Sequence, residues 1–310
     1  MYSVIIPAKN ESKNIARCIR SVFNCVEDRD LVEIIVVDNG SSDDTAKLAE
    51  QEGATVYVLK QANVASLRNF GVTRSRYDII GFIDADCEAM LGWLDNAKKL
   101  LHDPNVGIVG DYPRLPENPC WIEKAWFSCL LRSEREVSYL GGCNMVMRRS
   151  TFVGVGEFDE NTITGEDYVL GLKVKKTEKK VIADPSVAVI HYGNPRTLCQ
   201  LFEQEVWRGL GMFDLCRYGK ITLPLTWANL NILLIGGIIT GTLLGKASFT
   251  LSLILLFWLL PLGAALHRSV KKESHRYLFS LYIIFVVYGL ARTVSILKLG
   301  SRYVFSIMRV

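Results

Sequence analysis

The chain has 310 residues, 49% of them hydrophobic, with a formal net charge of +4 and a sequence pI near 8.5. That charge is too weak to mark a nucleic-acid binder, and no basic stripe is interleaved with aromatics. Eight cysteines without a CxxC pair argue against a zinc or redox centre and fit reduced cytosolic thiols.

In chain order, residues 3–7 (SVIIP) form a short apolar run closed by proline, which reads as a buried parallel strand. A helix is predicted over 10–23, with Ile15, Ile19, Val22 and Phe23 at helical spacing. Residues 33–37 (EIIVV) are a second strand with Asp38 at its end, and 39–42 make a turn. Asp43 or Asp44 caps the helix that follows. A third strand covers 54–59, a helix 64–74, and a fourth strand, 79–83 (IIGFI), runs into Asp84-Ala85-Asp86. A further helix covers 93–101. This alternation predicts an α/β domain, Rossmann-like, with a mainly parallel sheet and helices on both faces. Ligands bind such sheets beyond the carboxyl ends of the strands, which is where Asp38, Asp84 and Asp86 fall. After 106 the rhythm loosens; strand candidates at 106–109, 143–147 and 181–183 suggest an acceptor-side extension of the same domain.

The mean hydropathy of +0.19 is high for a soluble chain, and the excess lies in the last third. Between Ile221 and Leu266 the only charged residue is Lys246. Runs 223–244 and 249–266 approach or reach the roughly 20 residues that cross a bilayer core. A third run, 278–290, continues past Arg292 to Leu299 and either crosses or lies at the interface. Arg208, Arg217 and Lys220 before the first run, and Arg268, Lys271, Lys272 and Arg276 after the second, put both ends of that hairpin on the cytosolic side. Arg292, Lys298, Arg302 and Arg309 argue against exporting the C-terminus. The expected division is a domain at 1–215 and a membrane-anchoring region at 216–310 with two or three hydrophobic helices. The first residues lack a charged stretch leading a long apolar one, so the N-terminal domain is expected in the cytosol.

Several residue groups can carry chemistry. Asp84 and Asp86, one residue apart after a buried strand, suit a hard divalent cation that also meets phosphate oxygens. Asp38 can accept hydrogen bonds from a base or ribose. Glu166-Asp167 pairs two carboxylates, which raises a pKa toward that of a general base, although acids also favour a helix start. His191, after the apolar AVI, can complete a metal site with Asp86. Gln204, Trp207 and Arg208 lie at helical spacing just before the apolar region and suit an acceptor-side helix, an interfacial anchor, or both.

In order, these motifs resemble the family 2 glycosyltransferases of the GT-A fold. SVIIPAKNES at 3–12 is similar to that family's opening strand, VVDNGSSDDT at 36–45 to its VVDDGSTDGT motif, and FIDADC at 82–87 to its DxD motif. GGCNMVMRRSTF at 141–152, GEFDE at 156–160 and TGEDYVLG at 164–171 resemble its acceptor loop and ED motif. The resemblance covers about residues 2–210. It implies that Pro7, Ala8, Glu11, Asp38, Arg68, Asp84 and Ala85 meet the nucleotide-sugar and that Asp86 binds the metal. It further implies Asp167 as base with Glu166 beside it, and Gly142 and Asn144 at the acceptor. The implied cofactor is Mg²⁺ or Mn²⁺ and the implied donor a UDP-, GDP- or dTDP-sugar.

Two departures matter. Asn39 stands where many members have a second Asp, and the processive QxxRW signature is replaced by Gln204-Glu205-Val206-Trp207-Arg208. The second departure favours inverting transfer of one or a few sugars to a lipid or lipid-linked saccharide over polymer synthesis. Alternatives are a polyprenyl-phosphate sugar synthase and a membrane-tethered nucleotide-binding scaffold without turnover. A dinucleotide oxidoreductase is disfavoured, because no GxGxxG follows the first strand.

Overall fold

β1 (Tyr2–Ala8) is buried along its whole length, as a strand covered on both faces must be. In this computed structural model residues 1–127, 135–212, 214–219, 222–271 and 275–307 are described, 300–307 as helical backbone only. Cys129, Lys220, Ile221, Lys272 and Arg309, and the Arg302 side chain, on which expectations were placed, lie outside the described residues.

After β1 come α1 (Ile15–Phe23), β2 (Val32–Asp38), α2 (Thr45–Gln51), β3 (Thr55–Val58), α3 (Val64–Arg74), β4 (Ile79–Ile83), β5 (Cys87–Ala89), α4 (Trp93–Leu100) and β6 (Val106–Gly110). Then follow α5 (Trp121–Phe127), β7 (Glu136–Val137), β8 (Asn144–Arg148), α6 (Arg149–Gly154), α7 (Glu166–Lys175), β9 (Lys180–Ala183), β10 (Val189–His191) and α8 (Leu198–Gly209). Three long helices close the chain, α9 (Leu223–Leu243), α10 (Ala247–Lys271) and α11 (Leu278–Ile307).

The chain divides into two compact units. The first comprises Met1–Glu117, Arg132–Thr162 and Glu166–Gly193; the second comprises Asn118–Leu131, Ile163–Gly165 and Asn194–Val310. In the first unit an eight-stranded sheet runs β3-β2-β1-β4-β8-β6-β9-β7, and β5 and β10 form a second, two-stranded sheet. β1 pairs in parallel with β2 and β4, whereas β8 inserts antiparallel between β4 and β6. Side chains alternate across β1: Val4 and Ile6 join Ile19, Val22, Trp93 and Leu94 on the α1/α4 face, and Ile5 joins Val72, Phe82, Phe152 and Leu170 on the α3/α7 face. Each such burial contributes about 1.5–3 kcal/mol.

The helix expected over 10–23 begins only at Ile15. Asn10 adopts φ +56, and the segment after it bonds to the loop beyond β2 instead of starting a helix. The Asn10 and Glu11 N–H groups donate to Ser41 Oγ (2.8 Å) and Thr45 Oγ1 (2.7 Å), and Ser42 N–H donates to Asn10 Oδ1 (2.9 Å). Of the two possible caps, Asp43 accepts from Thr45 N–H at 3.1 Å and from Ser12 N–H at 3.1 Å, while Asp44 makes no side-chain cap bond.

In the second unit α9, α10 and the stretch His275–Leu299 are each long and apolar enough to cross a membrane. α9 and α10 pair as an antiparallel hairpin, with Gly237 against Leu253 and Gly241 against Thr250. Their outer surfaces expose Leu233, Ile239, Leu251, Leu255 and Trp258. Pro224 opens α9, where a missing N–H costs nothing.

Candidate active site

Ala8 and Asp38 are register partners at the carboxyl ends of β1 and β2, and Asp84 follows the end of β4 on the other side of β1. The sheet thus gathers the nucleotide-side residues predicted from sequence at one edge. Pro7, Ala8, Asp38 and Ala85 are buried there, and Glu11 and Asp84 are partly exposed. The Asp38 carboxylate accepts from Ser41 N–H at 2.9 Å and from the Ser41 hydroxyl. The neighbouring Asn39 side chain donates to the Ala62 carbonyl (2.8 Å) and accepts from the Ala62 N–H (3.2 Å). An aspartate could not make both bonds. Asn39→Asp is therefore expected to destabilise the first unit by about 1–3 kcal/mol, the penalty for an unmatched polar group; an unchanged denaturation midpoint would refute this.

Arg68, on α3, is 3% exposed. Its guanidinium donates to Asp84 Oδ1 at 2.8 Å and to Glu166 Oε1 at 2.6 Å. It also stands 5.5 Å from the centre of the Phe158 ring. Gly142 is held tight against it, because a Cβ there would lie 2.6 Å from the guanidinium. Both terminal nitrogens of Arg68 are thus engaged by carboxylates, while its buried Nε meets no hydrogen-bond partner among the described residues.

Glu166 and Asp167 open α7, in the turn where a helix dipole favours acids. Asp167 Oδ2 accepts from Gly142 N–H at 3.2 Å, and Oδ1 from Tyr168 N–H at 2.7 Å. Burial, and then the charge of Glu166, push the Asp167 carboxyl up to about 6; Arg68 and the two N–H groups oppose the rise. Asn144 has another place. It is fully buried, donates to the carbonyls of Asp111 (3.0 Å) and Val187 (2.8 Å), and accepts from Trp93 Nε1 (2.8 Å). Those bonds use both amide hydrogens, so its side chain braces the core and has no donor left for an acceptor.

Asp86 and His191 approach through the antiparallel pairing of β5 and β10, in which His191 faces Cys87. His191 Nε2 lies 3.5 Å from Asp86 Oδ2, and donor atoms of Asp86, Cys87 and His191 all lie within 4.8 Å of one another. Gly193 admits the Asp86 carboxylate, since a Cβ would meet Oδ2 at 1.7 Å. Burial raises the Asp86 carboxyl above its usual range, His191 opposes this and Asp84 adds to it. Burial likewise raises Glu11, which faces the charges of Asp86, Asp84 and Asp43. Burial pushes the Cys87 thiol well above its usual range, and the neighbouring Cys143 thiol adds to the rise. Cys87 was not singled out from sequence; its place depends on a strand pairing that no local pattern announces.

Gln204, Trp207 and Arg208 belong to the second unit, on α8. Trp207 is exposed, and Gln204 Oε1 is enclosed without a partner among the described residues. Arg208 donates to Glu205 Oε1 at 2.8 Å, and the other Glu205 oxygen takes Arg292 of α11. Glu205, almost fully buried, is the centre of this trio.

Residues 3–153 match Glycosyl transferase family 2. Glycosyltransferase AglE of Haloferax volcanii is 25% identical over 249 residues, 76% of this chain and 80% of that protein. The pre-mycofactocin glycosyltransferase of Mycobacterium tuberculosis is 28% identical over 207 residues, 61% of this chain but only 42% of that protein. Among solved structures, the mannosyltransferase PcManGT of Pyrobaculum calidifontis, in complex with GDP-Man and Mn²⁺, superposes with a TM-score of 0.62 at 19% identity, over 96% of this chain and 86% of that one. With its strand order, its carboxylates at the strand ends and these likenesses, residues 3–153 form a family 2 glycosyltransferase domain on the GT-A fold, and the chain carries beyond it helices long and apolar enough to cross a membrane.

Proposed function

We propose that this enzyme is an inverting, divalent-metal-dependent glycosyltransferase. It moves a sugar from a nucleoside-diphosphate donor to a hydroxyl of a lipid or lipid-linked saccharide at the cytosolic membrane face. Residues 1–215 are its catalytic part and 216–310 its anchor. The observation that carries the reading is Asp167: a carboxylate raised to about 6, in the same unit as the strand-end acids.

The donor set fits a cation. Asp86 and His191 offer a carboxylate oxygen and an imidazole nitrogen, Glu11 and Asp84 add negative charge nearby, and the Arg68 charge is committed to Asp84 and Glu166. A diphosphate entering this field needs positive charge, and the Mn²⁺ in the PcManGT complex supports the same class of ion. Asp86 and His191 would hold a divalent ion, which would supply positive charge to the leaving diphosphate. Asp167 takes the proton of the acceptor hydroxyl as its oxygen bonds to the anomeric carbon. The bond from that carbon to the diphosphate oxygen breaks on the opposite face, so the configuration inverts.

The test is nucleoside-diphosphate release from a panel of nucleotide-sugars, using detergent-purified protein and membrane lipid extract as acceptor. Release from one donor class is expected with Mn²⁺ or Mg²⁺. EDTA should abolish it, and Asp86→Ala should lower it by about 10²-fold or more. Release indifferent to both would defeat the metal assignment. An acid-labile glycosyl phosphate product would replace the hydroxyl acceptor with a polyprenyl phosphate.

A further inference from the structure

By length and composition α11 matches a third membrane span. We infer that it does not cross the bilayer: it lies in the interfacial layer across the base of the α9/α10 hairpin, with one apolar stripe against lipid.

The argument rests on where α11 meets its neighbours within the second unit. The pairing of Gly237 with Leu253 and of Gly241 with Thr250 sets the level of every residue along the antiparallel hairpin. It brings the first turns of α9, around Leu225 and Ala228, level with the last turns of α10, around Ala265. Near its start, α11 packs Leu281 and Phe285 with Ala265. Fifteen residues further on, about 22 Å along its own axis, Ile296 packs against the cluster formed by Leu225 and Ala228 of α9 with Met212. A helix running alongside the hairpin would by then have reached its far end. Between these points Phe285 stacks on Trp227 at 5.7 Å, and Asn231 Nδ2 donates to Thr293 Oγ1 at 3.3 Å. These contacts, too, belong to the first turns of α9.

The opposite side of α11 is covered by helices that are unsuited to hydrocarbon. Ile284 packs with Ile122 and Ala125 of α5 and Leu201 of α8, Ser295 Oγ donates to the Val206 carbonyl at 2.8 Å, and Arg292 pairs with Glu205. α8 carries Glu203, Glu205 and Arg208 along one short helix. Charged side chains are expensive in a bilayer core, so a helix lying along α8 for much of its length shares its depth.

Phe279, Leu290 and Leu297 remain exposed on α11. Their spacings of eleven and seven residues put them on one helix face. The occupant of this stripe is lipid, since α9 and α10 expose apolar side chains of the same kind, and the exposed Lys271 and Arg276 stand close to its start in the chain, where cations meet headgroups. The chain then has two crossings.

An epitope inserted after Gly245, in the hairpin turn, and another appended after Val310 decide the matter in full-length protein, in sealed vesicles with the α8 side outward. The C-terminal epitope is expected to be open to added protease and the turn epitope to be cut only after detergent. Protection of the C-terminal epitope would overturn the inference, because α11 would then cross; cleavage at both sites would overturn the two-crossing frame. Lipid contact is read separately with Leu290→Trp. Its added fluorescence should be quenched more by nitroxide lipids labelled near the headgroup than by those labelled near the chain end. Stronger deep quenching, or none from either, would refute the assignment. Neither readout depends on the acceptor or the metal.

Discussion

Asp167→Asn is expected to lower sugar transfer by about 10²–10⁴-fold, the usual contribution of a positioned base, while leaving the protein folded. With the carboxyl at about 6, the ionised fraction rises about tenfold per pH unit below that value and levels off above it, so kcat/KM of the natural enzyme should climb with pH and flatten near 7. Stability should move the other way. A carboxyl whose folded-state pKa is raised favours the fold fully while protonated, below about 4. That advantage is lost as pH rises through about 6. Asparagine resembles the protonated form, so the variant should gain stability relative to the natural protein between pH 4 and 8. Thermal unfolding across that range checks the gain, and transfer assays check the loss. A variant that keeps its activity, or that loses it only by unfolding, would remove Asp167 from the role of base.

Arg68→Met is expected to destabilise the first unit by about 3–5 kcal/mol, since removing one member of a buried ion pair strands the other. Glu166 is buried and Asp84 is partly so, which places the stranded charge mainly at Glu166. The double variant Arg68→Met/Glu166→Gln should recover part of the loss, and denaturant unfolding of the three proteins measures the recovery. Arg68→Lys should retain less than the full stability, because one ammonium does not reproduce the two-ended fork. Arg68 also holds the Asp167 carboxyl down, whereas Glu166 raises it, so the acid limb of the rate profile should shift to higher pH in Arg68→Met alone and not in the double variant. Unfolding indistinguishable from the natural protein would show that the guanidinium is not the counter-ion for Glu166.

The strands carrying the strand-end acids were legible because fully buried parallel strands read as continuous apolar runs; β1, β2 and β4 are of this kind. α3 was legible to its ends, 64–74, from a cap and a break that are local. The start of α1 was not, because Asn10 and Glu11 bond to residues more than thirty positions away. β5 and β10 have three residues each and owe their existence to pairing with one another. The same holds for side chains. The types and order of the acids were readable, but not that Arg68 would span from Asp84 to Glu166, a partner 98 positions away. Asn144 sits in a motif that resembles an acceptor loop, and only the placement of Trp93, Asp111 and Val187 around it reveals its bracing role. For α11, hydropathy reports composition and length; depth depends on contacts with α5, α8 and the base of the hairpin.

The loop after β1 is fastened to the loop after β2 by Ser41, Asp43, Thr45 and Asn10, and Asn39 fastens the latter to Ala62. These bonds form within the chain, before any ligand arrives. Ordering a free loop costs on the order of 1–2 kcal/mol of backbone entropy per residue, and here that cost falls on folding instead of binding. On the function proposed above, in which the donor binds at these loops, its affinity would reflect the contacts made and would not be reduced by the expense of assembling the surface that makes them.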